Sequence, residues 1–223
     1  MKKAVIFDMD GLMLDSKPTW VKAEKKLLKE FGKEYDLKIT KKYHGLRVAG
    51  MIKVMRREYN LPLEQKEGEK KLTNFANKNI NSPSSALLPG CKKLVKSLSA
   101  SQKYLLAIAS SSPVMLIKTM VEKFAFKDDF DLLVSGEEVK NGKPAPDVFL
   151  KCAHLFKIPS DSCLVLEDSP NGVKAAKAAG MKVIAVYNKQ FNKPEDFKGM
   201  PDKIVDSLKK LDLKIIAKVL ASN

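Results

Sequence analysis

Five short apolar runs, each ending abruptly in polar or acidic residues, limit what this chain can fold into more than any other feature. They lie at Lys3–Phe7, Tyr104–Ala109, Leu132–Val134, Cys163–Leu166 and Lys182–Val186. Runs this short and this continuous are strands of a parallel sheet covered on both faces. Helical patterns fill the intervals at Gly90–Leu98, Val114–Phe124, Pro146–Phe156 and Asn171–Ala179. The alternation predicts an α/β fold, a parallel sheet with helices on both faces. Helix punctuation agrees. Ser169-Pro170 supplies an N-cap followed by proline in the first turn, and Gly180 sits at a glycine C-cap. Ser112-Pro113 reads the same way for the preceding unit.

From about Pro18 to Ser82 the alternation stops. The stretch has helical periodicity and no convincing strand, and Pro83-Ser-Ser and Pro89-Gly90 punctuate its exit. It reads as an all-helical insert over 17–82, placed in a core made of 1–16 and 83–223. A chain of 223 residues suits a core domain carrying one smaller insert. The insert holds 17 Lys and Arg against 8 Asp and Glu, more than half of the excess behind a net charge of +15. Its lysines alternate with glutamates, as in Lys22-Ala-Glu-Lys-Lys, which is the pattern of a solvated helix face rather than of a nucleic-acid groove. A phosphorylated small molecule remains as the partner such a charge attracts, with no nucleic acid and no membrane expected. No apolar run is long enough to span a bilayer, and the N-terminal run meets Asp8 too soon for a signal peptide. Cys91, Cys152 and Cys163 show no metal spacing and read as reduced thiols, so a cytoplasmic protein is expected. A monomer is the working expectation, with no residue pattern behind it.

Ligands of open parallel sheets bind beyond the carboxyl ends of the strands. Here those ends carry Asp8-Met-Asp10-Gly11, Ser110-Ser111-Ser112, Gly142-Lys143-Pro144 after a loop, and Glu167-Asp168-Ser169. Several carboxylates on one edge repel one another unless a cation lies among them. Oxygen donors in small number point to Mg²⁺, which keeps some waters and contacts phosphate. A lysine and hydroxyls can hold the other phosphate oxygens. One carboxylate can attack phosphorus, and a second, two residues on, can move the proton. Gly11 permits the tight turn between them.

These segments resemble the four motifs of the haloacid dehalogenase-like hydrolase superfamily, in order and over nearly the whole chain. They are Phe7-Asp8-Met9-Asp10-Gly11-Leu12-Met13-Leu14-Asp15-Ser16, Ala109-Ser110-Ser111-Ser112, Lys143-Pro144-Ala145-Pro146-Asp147-Val148-Phe149 and Leu166-Glu167-Asp168-Ser169-Pro170-Asn171-Gly172-Val173. Their wording resembles the β-phosphoglucomutase-like subfamily, nearest its phosphatases of sugar and nucleoside monophosphates. The resemblance implies a Rossmann-like core with an inserted helical cap and a Mg²⁺-dependent phosphatase. It makes Asp8 the nucleophile and a metal ligand, and Asp10 the general acid/base with its backbone carbonyl on the metal. Asp168 becomes a metal ligand and Glu167 a support of the metal site through water. Ser110, Ser111 and Lys143 become the grips on the phosphoryl group.

The resemblance further brings the insert over the site, making Arg47, more than His44, a substrate contact. Met51 and Met55 recur at helical spacing and read as packing, and His154 as structural. Asp15 reads as a turn residue, and Asn171 either orients Asp168 or caps its helix. The subfamily's mutases place a histidine five residues after the acid at the Asp15 position, where this chain has Trp20. Indole cannot do imidazole's proton work, although it can narrow the pocket or stack on a ring face. Hydrolysis is therefore expected, with a sugar phosphomutase or a catalytically silent phospho-ligand binder as the alternatives.

Overall fold

The computed structural model describes residues 2–40, 42–43, 46–187 and 192–222. Strand β1 (Lys3–Phe7) opens the chain. Four helices follow: α1 (Lys17–Lys29), the single turn α2 (Leu37–Thr40), α3 (Val48–Tyr59) and α4 (Gln65–Asn81). Helix α5 (Cys91–Ser101) then begins the regular alternation of β2 (Tyr104–Ser110), α6 (Val114–Lys123), β3 (Leu132–Ser135), α7 (Asp147–Phe156), β4 (Cys163–Glu167), α8 (Pro170–Ala178) and β5 (Lys182–Val186). Two further elements close the chain, β6 (Lys203–Val205) and α9 (Leu213–Ala221). Neither is expected from the apolar runs. The first is three residues long with an exposed lysine, and its strand character comes from pairing with β5.

All strand pairs are parallel, in the order β3-β2-β1-β4-β5-β6. Alternate residues of each strand enter opposite cores. Val5, Phe7, Leu106, Ile108, Leu164, Leu166 and Ile184 join one cluster, whereas Ala4, Ile6, Ala107, Ala109, Cys163, Val165 and Val183 join the other. This two-sided burial is why the runs are continuously apolar rather than alternating. The strand order reverses at β1, whose neighbours are β2 and β4. The Asp8 amide prolongs the β1–β4 ladder by donating to the Leu166 carbonyl at 3.0 Å.

Helices α1–α4 lie between Lys17 and Asn81, and no strand occurs among the described residues of that stretch. Met51 and Met55 are buried and pack there, as their spacing suggests. The insert is tied back to the core on its exit side. Thr119 Oγ1 of α6 donates to Asn77 Oδ1 of α4 at 2.6 Å, and the Lys123 ammonium donates to the carbonyls of Ile80, Ser82 and Ser85. Ser169 caps α8 by accepting from the Gly172 amide at 3.0 Å, with Pro170 in the first turn, and Gly180 has φ +72° just past the helix. Ser112 does not cap α6. Pro113 occupies the N-cap position, and the Ser112 hydroxyl is used elsewhere.

Candidate active site

The carboxyl ends of β1, β2 and β4, with the loop after β3, converge on one buried lysine. Lys143 Nζ donates to Asp8 Oδ1 at 2.6 Å, to Glu167 Oε1 at 2.6 Å and to the Ala109 carbonyl at 3.2 Å. It also lies 4.8 Å from the centre of the Phe149 ring, a cation–π distance. Burial disfavours the ammonium, but the Asp8 and Glu167 carboxylates outweigh that cost and the net shift of its pKa is upward. Glu167 is itself fixed from the other side: its Oε2 accepts from the Ser169 amide at 2.8 Å and the Ser169 hydroxyl at 3.0 Å. Both Glu167 oxygens are thus engaged by protein donors, and the side chain is 1% exposed. Its observed partners are Lys143 and Ser169.

Asp8 is buried at the end of β1. Burial pushes its carboxyl up to about 8; Lys143 pulls it down, and the negative charges of Glu167 and Asp10 push it up again. Burial, together with Glu167 and Asp8, likewise raises the Asp168 carboxyl well above the usual carboxylate range. Asp168 meets the β1 turn at Gly11. That residue has φ +86°, and a Cβ added there would stand 2.2 Å from Asp168 Oδ2. Only glycine suits both the backbone angle and the approach. The Asn192 side-chain amide holds the Asp168 carbonyl at 2.9 Å.

Asp10 is gripped on both oxygens. Ser112 Oγ donates to Oδ2 at 2.6 Å, Ser110 Oγ approaches Oδ2 at 3.2 Å, and the indole N–H of Trp20 donates to Oδ1 at 2.9 Å. Trp20 thus turns its indole N–H onto a carboxylate. Ser112 is a site residue that reading three consecutive serines assigned to a cap; the only signal for it was its membership of that run. Ser111 follows β2 directly and is half-buried beside Ser110.

Among the described residues, the ammonium hydrogen-bonded within this group of four carboxylates, Asp8, Asp10, Glu167 and Asp168, is that of Lys143. The raised Asp8 and Asp168 mark the excess of negative charge that a cation would relieve. Among the described residues no group of three or more His, Cys, Asp or Glu side chains is arranged to hold an ion. The donors on offer are the carboxylates of Asp8 and Asp168. That small oxygen set fits a hard cation that completes its shell with water.

Arg47, at the start of α3, does not reach the carboxylates. Its Nη1 donates to the Val139 and Lys140 carbonyls at 3.1 and 3.4 Å. The guanidinium lies against Gly142, where a Cβ would stand 2.6 Å from Nε. Nε and Nη2 are buried there without hydrogen-bond partners. Arg47 thus clasps the loop that delivers Lys143. His44 lies outside the described residues. Asn171 is exposed and leaves the capping of α8 to Ser169, and His154 is exposed on α7. Asp15 donates its amide to the Ala86 carbonyl, joining the entry and exit of the insert. A hollow of about 950 Å³ is lined by insert residues including Lys17, Tyr35, Leu37 and Tyr59, and shares no residue with this cluster.

Residues 5–186 match the family model of haloacid dehalogenase-like hydrolases. The chain is 37% identical to a probable pseudouridine-5′-phosphatase of Drosophila melanogaster over 81% of its length and 80% of the relative's. It is 34% identical to hexitol phosphatase B of Escherichia coli K12, covering 82% of each chain. The crystal structure of β-phosphoglucomutase from Clostridium difficile superposes with a TM-score of 0.84 at 23% identity, over 99% of this chain and 97% of that one, a likeness of fold. With its strand-end cluster on the six-stranded parallel sheet, the chain belongs to the haloacid dehalogenase-like hydrolases and is a phosphoric monoester hydrolase.

Proposed function

We propose that the protein is a Mg²⁺-dependent phosphatase of small phosphate monoesters, working through an aspartyl-phosphate on Asp8. The observation that carries this reading is the Lys143 ammonium bridging Asp8 and Glu167 at 2.6 Å each, with Asp10 held two residues from Asp8 by three donors. Lys143 and the serine hydroxyls supply positive charge and hydrogen bonds to a phosphoryl group at the strand ends. Asp8 attacks phosphorus as the bond to the leaving oxygen breaks, and Asp10 gives that oxygen its proton. Asp10 then takes a proton from water as the water attacks the acyl-phosphate, which frees Asp8 and inorganic phosphate. Mg²⁺ held by Asp8, Asp168 and the Asp10 carbonyl would neutralise charge on the phosphoryl oxygens. Glu167 keeps Lys143 in place.

The segment 17–82 serves as a cap over the core of 1–16 and 83–223. Trp20 in place of an imidazole favours water over a sugar hydroxyl as the final acceptor. The names of the relatives direct the substrate panel to sugar, sugar-alcohol and nucleoside monophosphates. Phosphate release from that panel with Mg²⁺ should fall by about 10³-fold or more in Asp8→Asn, within the range of lost covalent catalysis. Equal activity of wild type and Asp8→Asn would overturn the mechanism.

A further inference from the structure

The two oxygens of Asp10 are held by different parts of the chain. Oδ2 belongs to the core, through the hydroxyls of Ser110 at the end of β2 and Ser112 on the loop that follows. Oδ1 belongs to the insert, through the indole N–H of Trp20 in the first turn of α1. Among the described residues, Trp20 is the side chain of the insert that hydrogen-bonds a carboxylate of the cluster. The other insert residue at this edge, Arg47, stops on the backbone of the loop before Lys143.

We infer that Trp20 is a positioning residue for the proton step: it sets the plane of the Asp10 carboxyl against the leaving oxygen, and it does so only while α1 is seated on the core. The inference rests on the phosphatase reading above. An indole N–H donates and does nothing else, so it takes no part in proton transfer itself. Its effect passes through geometry. A carboxyl held on one oxygen can turn about its last bond, whereas one held on both, by groups on opposite sides, cannot. General acid catalysis requires the acid within hydrogen-bond reach of the atom it protonates, so lost orientation appears as lost rate. Closing the insert over a substrate and aiming the acid thereby become one event.

The consequence is selective, because not every leaving group needs a proton. An alkoxide from a sugar or sugar-alcohol phosphate must be protonated as it departs. p-Nitrophenoxide leaves as the anion. Since kcat/KM extends only to the first irreversible step, the cleavage of that bond, it isolates the acid role of Asp10 from its later role as base.

Trp20 is the sole tryptophan in the chain. Biosynthetic replacement of tryptophan by its sulfur isostere, benzothienylalanine, therefore changes position 20 alone, deleting the N–H while keeping the ring shape. Trp20→Phe provides a genetic counterpart. The quantity to measure is the ratio of kcat/KM for an alkyl phosphate to that for p-nitrophenyl phosphate, with Mg²⁺. The ratio should fall about tenfold or more in the isostere protein, a fraction of the 10²–10⁴ that a general acid contributes. An unchanged ratio, whether both substrates slow together or neither does, would overturn the inference and leave Trp20 a packing residue. The parent reading fails separately: Asp8→Asn would then hydrolyse p-nitrophenyl phosphate as wild type does.

Discussion

Replacing Lys143 by methionine tests whether Glu167 exists to hold the lysine. In the native site Lys143 is 6% exposed, and its partners Asp8 and Glu167 are 8% and 1% exposed. Removing one partner of a buried ion pair costs about 3–5 kcal/mol, because a charge is left desolvated. Asp8 can relieve its share by keeping its proton at pH 7, since burial has already raised its carboxyl to about 8. Glu167 is fixed as an acceptor by the amide and hydroxyl of Ser169, so the remaining cost falls on it. Glu167→Gln removes that charge. The double variant Lys143→Met/Glu167→Gln should therefore be more stable than the sum of the single losses predicts, by about 1–3 kcal/mol. Urea unfolding of the four proteins at pH 7 in EDTA, followed by circular dichroism, gives the coupling directly. Additivity within about 0.5 kcal/mol would refute the pairing. Activity supplies a second arm. A residue that holds Lys143 should leave the Mg²⁺ concentration for half-activation within about twofold in Glu167→Gln, whereas Asp168→Asn, at the proposed ligand, should raise it about tenfold or more.

Three other outcomes follow from the same geometry. Gly11→Ala forces a Cβ to within 2.2 Å of Asp168 Oδ2 at φ +86°, so kcat should fall at least about tenfold and stability by about 1–3 kcal/mol, read by phosphate release and by thermal melting. Glu24 is buried, accepts from the Tyr43 hydroxyl at 2.9 Å, and is pushed up by burial from 4.5 to about 7. Its folded-state proton stabilises the protein below pH about 4.5 and is lost as pH rises through about 7, so Glu24→Gln should gain on wild type between pH 5 and 8 by on the order of 3 kcal/mol in urea melts. Arg47→Ala removes the clasp on Val139 and Lys140, and Gly142→Ala crowds it at 2.6 Å; each should raise KM more than it lowers kcat in steady-state assays.

The strands and their polar ends were legible because a two-sided core demands continuous apolar runs, and each run stops where the sheet meets solvent. Lys3–Phe7, Lys182–Val186 and the Ser169–Pro170 cap were readable in this way from neighbours in the chain. The strand-end residues that meet, Asp8, Asp10, Ser110, Lys143, Glu167 and Asp168, were readable from topology, since every parallel strand delivers its end to one edge. What was not readable is which atom each group touches. Ser112 lies 102 residues from Asp10, and Lys143 lies 135 residues from Asp8. No local period reports such pairings. Ser112-Pro113 satisfied the rule for a cap, but Pro113 already supplies the extended backbone that begins α6, which frees the hydroxyl to bind Asp10. The same reasoning explains Glu167. A carboxylate next to Asp168 invites a metal role, but no local pattern reveals that its two oxygens meet Lys143 and Ser169. Trp20 and Arg47 show why the insert is hardest to read. Each is expected against the substrate, and each also reaches the core, one through Asp10 and the other through the loop that carries Lys143. On the proposed mechanism, helices that grip Asp10 and the loop carrying Lys143 would govern reactivity through the placement of those two groups, before any side chain of 17–82 meets a leaving group.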